Sequence, residues 1–202
     1  MEKPIIGISL SGILIKKGPW KKAHDSGIRE LAEKSGISEV LKGIDSSDYF
    51  GYVEKALEAI YPELSVEERI KKRREDYLER VLLTIRDNPS QINEDVIEYL
   101  KEITKKYSFV LITAGIKSFV EGVLDMADSS EIFDYLGVSN SYEKDDKRKV
   151  FERVIEEFGK PIYFLGSSRS KDICNEFGIG FVEISDENTF DDLKGFFEGL
   201  EK

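Results

Sequence analysis

One cysteine, one histidine and one tryptophan are all that 202 residues hold of those three types. A lone cysteine, Cys174, excludes an intramolecular disulfide and a Cys-rich zinc site. It follows the apolar Ile173 and reads as a small buried hydrophobe rather than a reactive thiol. Positive charge is also in short supply. Lys and Arg number 30 against 40 Asp and Glu, a net charge of −10. That excludes a general nucleic-acid backbone binder, which needs positive potential, although a small local site can oppose the global charge. No apolar run approaches the ~20 residues that cross a bilayer. The opening MEKPIIGISLSG is interrupted too soon for a secretory core. The expectation is therefore no membrane and a cytoplasmic location. Gln91 is the only glutamine and Lys and Glu abound, a bias shared with heat-adapted proteomes.

What is present is a 40% hydrophobic fraction, ordinary for a globular chain of this length, arranged as short apolar runs alternating with amphipathic stretches. Strands are expected at Pro4–Ser9, Ser108–Thr113, Tyr135–Ser139, Pro161–Gly166 and Gly180–Ile184. Nearly continuous apolar runs suit strands buried on both faces of a parallel sheet. Between them run helical stripes: Ile92, Val96, Leu100 and Ile103; Phe119, Val120, Val123 and Leu124; Val150, Phe151, Val154, Ile155 and Phe158; then Phe190, Leu193, Phe196, Phe197 and Leu200. These stripes are core. Strand and helix in alternation give an α/β protein of Rossmann-like build, its sheet covered by helices.

Residues 16–88 break the alternation. They show helical patterns and no strand: Ile28, Leu31 and Ala32; Tyr52, Val53, Ala56, Leu57 and Ile60; and Val66, Ile70, Tyr77, Val81 and Ile85, the last interleaved with the charged run Glu67–Asp76. Pro62 and Pro89 punctuate the region. The expected organisation is a core of residues 1–15 and 89–202 with an all-helical insertion at 16–88.

In open α/β sheets, ligands bind beyond the carboxyl ends of the strands. The first such end reads Ser9-Leu10-Ser11-Gly12-Ile13-Leu14. The second reads Val110-Leu111-Ile112-Thr113-Ala114-Gly115. A charged loop, Glu143–Lys149, then offers Lys144, Lys147 and Lys149 ahead of the Phe151 helix. The fourth is Leu165-Gly166-Ser167-Ser168-Arg169-Ser170-Lys171-Asp172. Ser9–Gly18 contains no Gly-x-Gly-x-x-Gly, which disfavours a dinucleotide-binding domain.

Taken in order, these segments resemble the four motifs of the haloacid dehalogenase (HAD) superfamily, capped subtype, with the catalytic acids missing. The family's first strand ends in Asp-x-Asp-Gly-Thr-Leu; here Ser9 and Ser11 occupy the acid positions, while Gly12 and Leu14 remain. Thr113 takes the place of the phosphate-holding Thr or Ser, with Ala114 supplying a neighbouring backbone group. Lys147, or else Lys144 or Lys149, takes that of the motif lysine. Ser167 replaces a metal-binding acid, and Asp172 is the one candidate metal ligand left. The insertion after the first motif stands where capped members carry their lid, and His24, within it, reads as a surface or lid residue.

The resemblance implies what has been lost. The family's first aspartate is a nucleophile forming an aspartyl-phosphate, and the second is its general acid and base. With a further acid the first also holds Mg²⁺, a hard cation that takes carboxylate oxygen. Serines at 9, 11 and 167 remove nucleophile, proton shuttle and metal anchor together. The expectation is a pseudoenzyme on a phosphatase fold that needs no cofactor. It keeps a pocket for a small anion or phosphometabolite, formed by Ser9, Ser11, Thr113, Ala114, Lys147 and Ser167, or it serves as an interaction module for a protein partner left open. The alternative is an active Mg²⁺-dependent HAD phosphatase working through acids such as Asp172, Asp145 or Asp146.

Overall fold

The computed structural model describes residues 3–36, 49–139, 147–185 and 187–201. They form two compact units, one built on Gly18–Asp87 and the other on the described residues to either side.

The larger unit is a five-stranded, wholly parallel sheet: β1 (Ile5–Ile8), β2 (Ser108–Ile116), β3 (Phe133–Ser139), β4 (Tyr163–Gly166) and β5 (Gly180–Glu183), in the order β3-β2-β1-β4-β5. The short β1 is central. Ile8 pairs with Leu111 on one side and Leu165 on the other. All of β1 from Ile6 onward is buried, as expected of a strand covered on both faces.

Successive side chains of β2 feed opposite faces. Val110 and Ile112 join a cluster with Val150, Phe151 and Val154 of α6 (Lys147–Glu157), Phe164, and Cys174 of α7 (Lys171–Phe177). Phe109 instead meets Phe197 of α8 (Thr189–Leu200) edge-on, ring centroids 5.9 Å apart. α8 packs with α4 (Glu94–Ile103), and α5 (Lys117–Met126) lies against β2 and β3. The expected stripes are core here. Val96, Leu100, Phe119, Val123, Val154 and Leu193 are all at most 2% exposed.

The larger unit differs from the sequence reading in detail; β3 begins at Phe133 and β4 only at Tyr163. β2 runs to Ile116 rather than stopping at Thr113. Its pairing with β3 lapses after Ile112↔Gly137 and resumes at Ile116↔Ser139, so residues 113–115 leave the ladder while the chain stays extended. Ile92 is buried but precedes its helix. Its backbone is extended (φ −81°, ψ 136°) and bridges to Ile15, because the turn at Pro89–Gln91 ends there and α4 begins only after Asn93.

The smaller unit comprises α1 (Gly18–Ser35), α2 (Tyr49–Ile60) and α3 (Val66–Asp87), which pack on one another. Leu57 of α2 and Val81 and Ile85 of α3 are buried. The α3 stripe is narrower than its sequence pattern. Val66, in the helix's first turn, is 48% exposed. Ile70 and Tyr77 are half-buried. Leu78 takes the inward place, in i, i+3, i+7 register with Val81 and Ile85.

Candidate functional site

The strand order reverses at β1. The chain steps outward from it to β2 and β3, then returns to its other side for β4 and β5. The carboxyl end of β1, flanked by those of β2 and β4, is thus the topological switch point where an open α/β sheet leaves a crevice.

Ser9 follows the last residue of β1. Its N–H donates to Leu165 O at 3.0 Å and its side chain is only 6% exposed. The residue beside it on β4 is Gly166. A Cβ there would lie 3.0 Å from Ser9 Cβ and 2.7 Å from the Phe164 ring, so glycine is what admits Ser9. Gly12 has φ 84°, a left-handed conformation that glycine adopts without strain. It folds the chain back, with Gly12 N–H donating to Ile15 O at 2.7 Å. Ser11, half-buried, lies on this turn.

Three residues that sequence reasoning passed over pin the turn or the lysine. Asn93 Nδ2 donates to Ile13 O at 2.7 Å, and its backbone N–H donates to Leu14 O at 2.9 Å. The single hydroxyl proton of Thr189, 7% exposed, is shared between Ser185 O at 2.9 Å and Gly12 O at 3.2 Å. Ser170, fully buried, accepts from Lys147 Nζ at 2.8 Å. Ser185 apart, each partner lies ~20 to 180 residues away in the chain, and no local pattern marks such pairs.

On β2, Thr113 Oγ1 accepts from Gly115 N–H at 3.2 Å. Its hydroxyl proton is still available to donate. Ser167 continues β4 in extended backbone (φ −80°, ψ 156°) and its carbonyl accepts from Ser170 N–H at 3.1 Å. Ser9 and Ser167 therefore follow the ends of β1 and β4, and Thr113 lies within the adjacent β2 where its pairing with β3 lapses, Ala114 following it. Of the candidate lysines, Lys147 opens α6 and lays its ammonium 5.0 Å from the centroid of the β4 Phe164 ring. Lys149 is exposed on the same helix. Lys144, Asp145 and Asp146 lie outside the described residues. Asp172 is exposed in the first turn of α7. His24 is on α1, its side chain outside the described ones. Cys174 is fully buried, and burial pushes its thiol up to about 11, which leaves it neutral and unreactive at neutral pH.

This donor set does not fit Mg²⁺. The positions that must supply carboxylate oxygen present the neutral hydroxyls of Ser9, Ser11 and Ser167. Among the described residues no three His, Cys, Asp or Glu side chains come together as a metal-ligand group. The set offers hydroxyl donors and one ammonium, the chemistry of an anion site. An open cavity of about 570 Å³ also lies on this unit, between the first turns of α4 and α8. Glu94, Asp95, Glu187 and Asp191 line it together with Lys16, a predominantly acidic wall.

The chain matches no protein-family profile and no curated protein. Its likeness is to solved structures. One is the β-phosphoglucomutase of Clostridium difficile, at 18% identity and a TM-score of 0.61 over 96% of this chain and 88% of that one. Another is a hydrolase of the haloacid dehalogenase-like family from Streptococcus pneumoniae, at 16% identity and a TM-score of 0.57 over 91% and 85%. A third is a haloacid dehalogenase-like family hydrolase from Xanthomonas campestris, at 20% identity and a TM-score of 0.52 over 90% and 82%. Among the described residues no helix is long and apolar enough to cross a membrane. The parallel sheet ordered 3-2-1-4-5, the helical unit inserted after β1 and these likenesses agree: the chain has the haloacid dehalogenase-like fold.

Proposed function

We propose that this protein binds a small phosphate-like anion at the ends of β1, β2 and β4 without a metal, and that it does not turn over phosphate esters. The observation that supports this reading is that Ser9 and Ser167 directly follow the ends of neighbouring β1 and β4, Thr113 lies on adjacent β2 where its pairing lapses, and the Lys147 ammonium lies against the β4 Phe164 ring. A carboxylate at position 9 or 167 would repel a phosphate dianion unless a cation stood between them. A hydroxyl at the same place donates to it. The loss that removes chemistry is therefore the change that permits binding without a metal. A serine hydroxyl, neutral at pH 7, is a nucleophile only with an adjacent base.

A few charge-assisted hydrogen bonds, set against the cost of association, give a dissociation constant of roughly 0.1–10 mM for inorganic phosphate. The test is an NMR titration with phosphate in the presence of a chelator, alongside a phosphate-ester assay with and without Mg²⁺. Binding is expected to shift signals near Ser9, Thr113 and Ser167, to weaken with added salt, and to weaken in Lys147→Ala. Turnover is expected to stay at background. A Mg²⁺-dependent rate abolished by Ser9→Ala would sink the reading in favour of an active phosphatase.

A further inference from the structure

Asn93 is the residue before α4, where an asparagine ordinarily turns its side chain onto the helix's own first N–H groups. Its side chain makes no such cap. It reaches 80 residues back along the chain, where Nδ2 donates to Ile13 O at 2.7 Å. The Asn93 backbone N–H donates to Leu14 O at 2.9 Å. One residue thus grips two successive carbonyls of the turn that follows β1.

A trans peptide is planar, and its C=O and N–H point in opposite directions. Holding Ile13 O therefore aims the Leu14 N–H away from Asn93, and holding Leu14 O does the same for the Ile15 N–H. Both of these N–H groups converge on Leu10 O, at 3.1 and 3.2 Å. Leu10 O belongs to the same peptide as the Ser11 N–H, so that N–H points out of the turn. Among the described residues nothing in the chain accepts from it. The turn has little room to relax, because Leu10, Ile13 and Leu14 are all 0% exposed. Every link from Asn93 to the Ser11 amide is a hydrogen bond or a peptide plane.

The geometry points to Asn93 as a positioning residue: through Leu10 O it sets the direction in which the Ser11 N–H is offered to a phosphate-like anion at the carboxyl end of β1. This rests on the anion-binding reading above, and it assigns part of the hold on the anion to a neutral backbone donor. A donor whose peptide is already fixed gives up no freedom when the anion arrives.

The test titrates inorganic sulfate into the protein without divalent metal, following amide signals by NMR. Wild type is compared with Asn93→Ala and the isosteric Asn93→Asp. Neither variant loses a helix cap, since the Asn93 side chain makes none. Both are expected to displace the Ser11 amide signal before any sulfate is added. At about pH 8 both are expected to bind sulfate about 3- to 10-fold more weakly, the share of one hydrogen bond to a charged group. The aspartate supplies a second readout. Ionised, it cannot donate to Ile13 O; protonated, its O–H can. Relative to wild type, Asn93→Asp is therefore expected to recover both its Ser11 signal and its affinity as pH falls towards about 5, while Asn93→Ala stays weak. A residue that only pins the fold would lower the thermal midpoint of both variants and leave sulfate affinity unchanged, and that result overturns the positioning role. So does an Asn93→Asp Ser11 signal that ignores the titration of the new carboxyl, which decides the matter if Asn93→Ala does not fold. If Asn93→Ala binds as wild type and Asn93→Asp weakens only when ionised, charge is the cause; positioning falls and anion binding stands. If sulfate moves no signals near Ser9 and Ser167 in wild type, the binding reading falls and this inference with it.

Discussion

At position 166 a hydrogen atom in place of a methyl group decides whether the cup can exist. The added carbon of Gly166→Ala would meet the buried Phe164 ring at 2.7 Å and Ser9 Cβ at 3.0 Å. Neither neighbour has room to move, since Phe164 is 0% and Ser9 6% exposed. The variant is expected to lose about 1–3 kcal/mol, as overpacked cores do, read as a lowered thermal midpoint. An unchanged midpoint would show that the β1–β4 contact yields. Cys174 illustrates the opposite limit, a reactive group made inert by its surroundings. Burial raises its thiol from 9.0 to about 11, with Lys147 opposing. The folded state thus holds the proton more tightly than the unfolded chain does. The sign follows from that difference: the contribution to stability is fully present below pH 9 and is lost as pH rises towards 11. Thiol reagents at pH 8 are expected to label Cys174 only after denaturation. Rapid labelling of the native protein would contradict its burial.

Secondary-structure elements show what a sequence can and cannot carry. The five strands were legible because each is a short, mostly apolar run, the central β1 and β4 buried almost throughout and the edge strand β5 only half-buried; the helical stripes were legible because their period is fixed by backbone geometry. The α3 face was harder. Val66, Ile70, Tyr77, Val81 and Ile85 share a spacing, yet Val66 is exposed and Leu78 is buried. Spacing alone does not say where along a helix the neighbours begin, and the neighbours of α3 are set by tertiary packing. The start of α3 carries a signal that could have been read. Ser65-Val66-Glu67-Glu68 is a capping box. Ser65 N–H donates to Glu68 Oε2 at 2.8 Å and Glu68 N–H donates to Ser65 Oγ at 3.3 Å. The Ser65 backbone N–H, then its hydroxyl, hold the Glu68 carboxyl below its ordinary range. A depressed carboxyl stabilises the fold above its unfolded pKa and loses that effect as pH falls through the folded value, so α3 is expected to fray from its first turn on acidification. Ser65→Ala keeps the backbone N–H and loses only the hydroxyl, so it should weaken that pH response in an amide-exchange measurement, whereas Glu68→Gln should abolish it; an unaltered response in Glu68→Gln would remove the box from the account. The buried face has its own test. Val81 is 0% exposed, and Val81→Asp places an unpaired charge there at a cost of several kcal/mol. Unchanged melting would mean that the buried face of α3 lies elsewhere.

On the scale of the whole molecule, the sheet brings together residues that the sequence holds up to 158 positions apart, from Ser9 to Ser167. The candidate site was legible to the extent that it lies at strand ends, because apolar runs announce where strands stop. The Ser170 contact with Lys147 and the longer of the two Thr189 contacts, to Gly12, were not legible, since those partners come from other parts of the chain. The net charge of −10 makes the assembled cup an exception within its own protein. On the proposed reading an anion would approach against the far field and be held by near contacts, which are screened least where they are buried. That balance can be inverted. Ser9→Asp, Ser11→Asp and Ser167→Asp combined would return carboxylates to the cup at the same strand ends. The far field changes little, but the near field changes sign, and the donor set becomes one that suits a hard cation. The triple variant is expected to lose phosphate binding in the presence of a chelator, to gain a thermal shift on adding Mg²⁺, and to recover phosphate binding only when Mg²⁺ is present. Wild type is expected to show no Mg²⁺ shift. Should the triple variant bind phosphate without metal as wild type does, the serines are not what opens this site to an anion, and the hydroxyl-lined cup is the wrong place to look for the ligand.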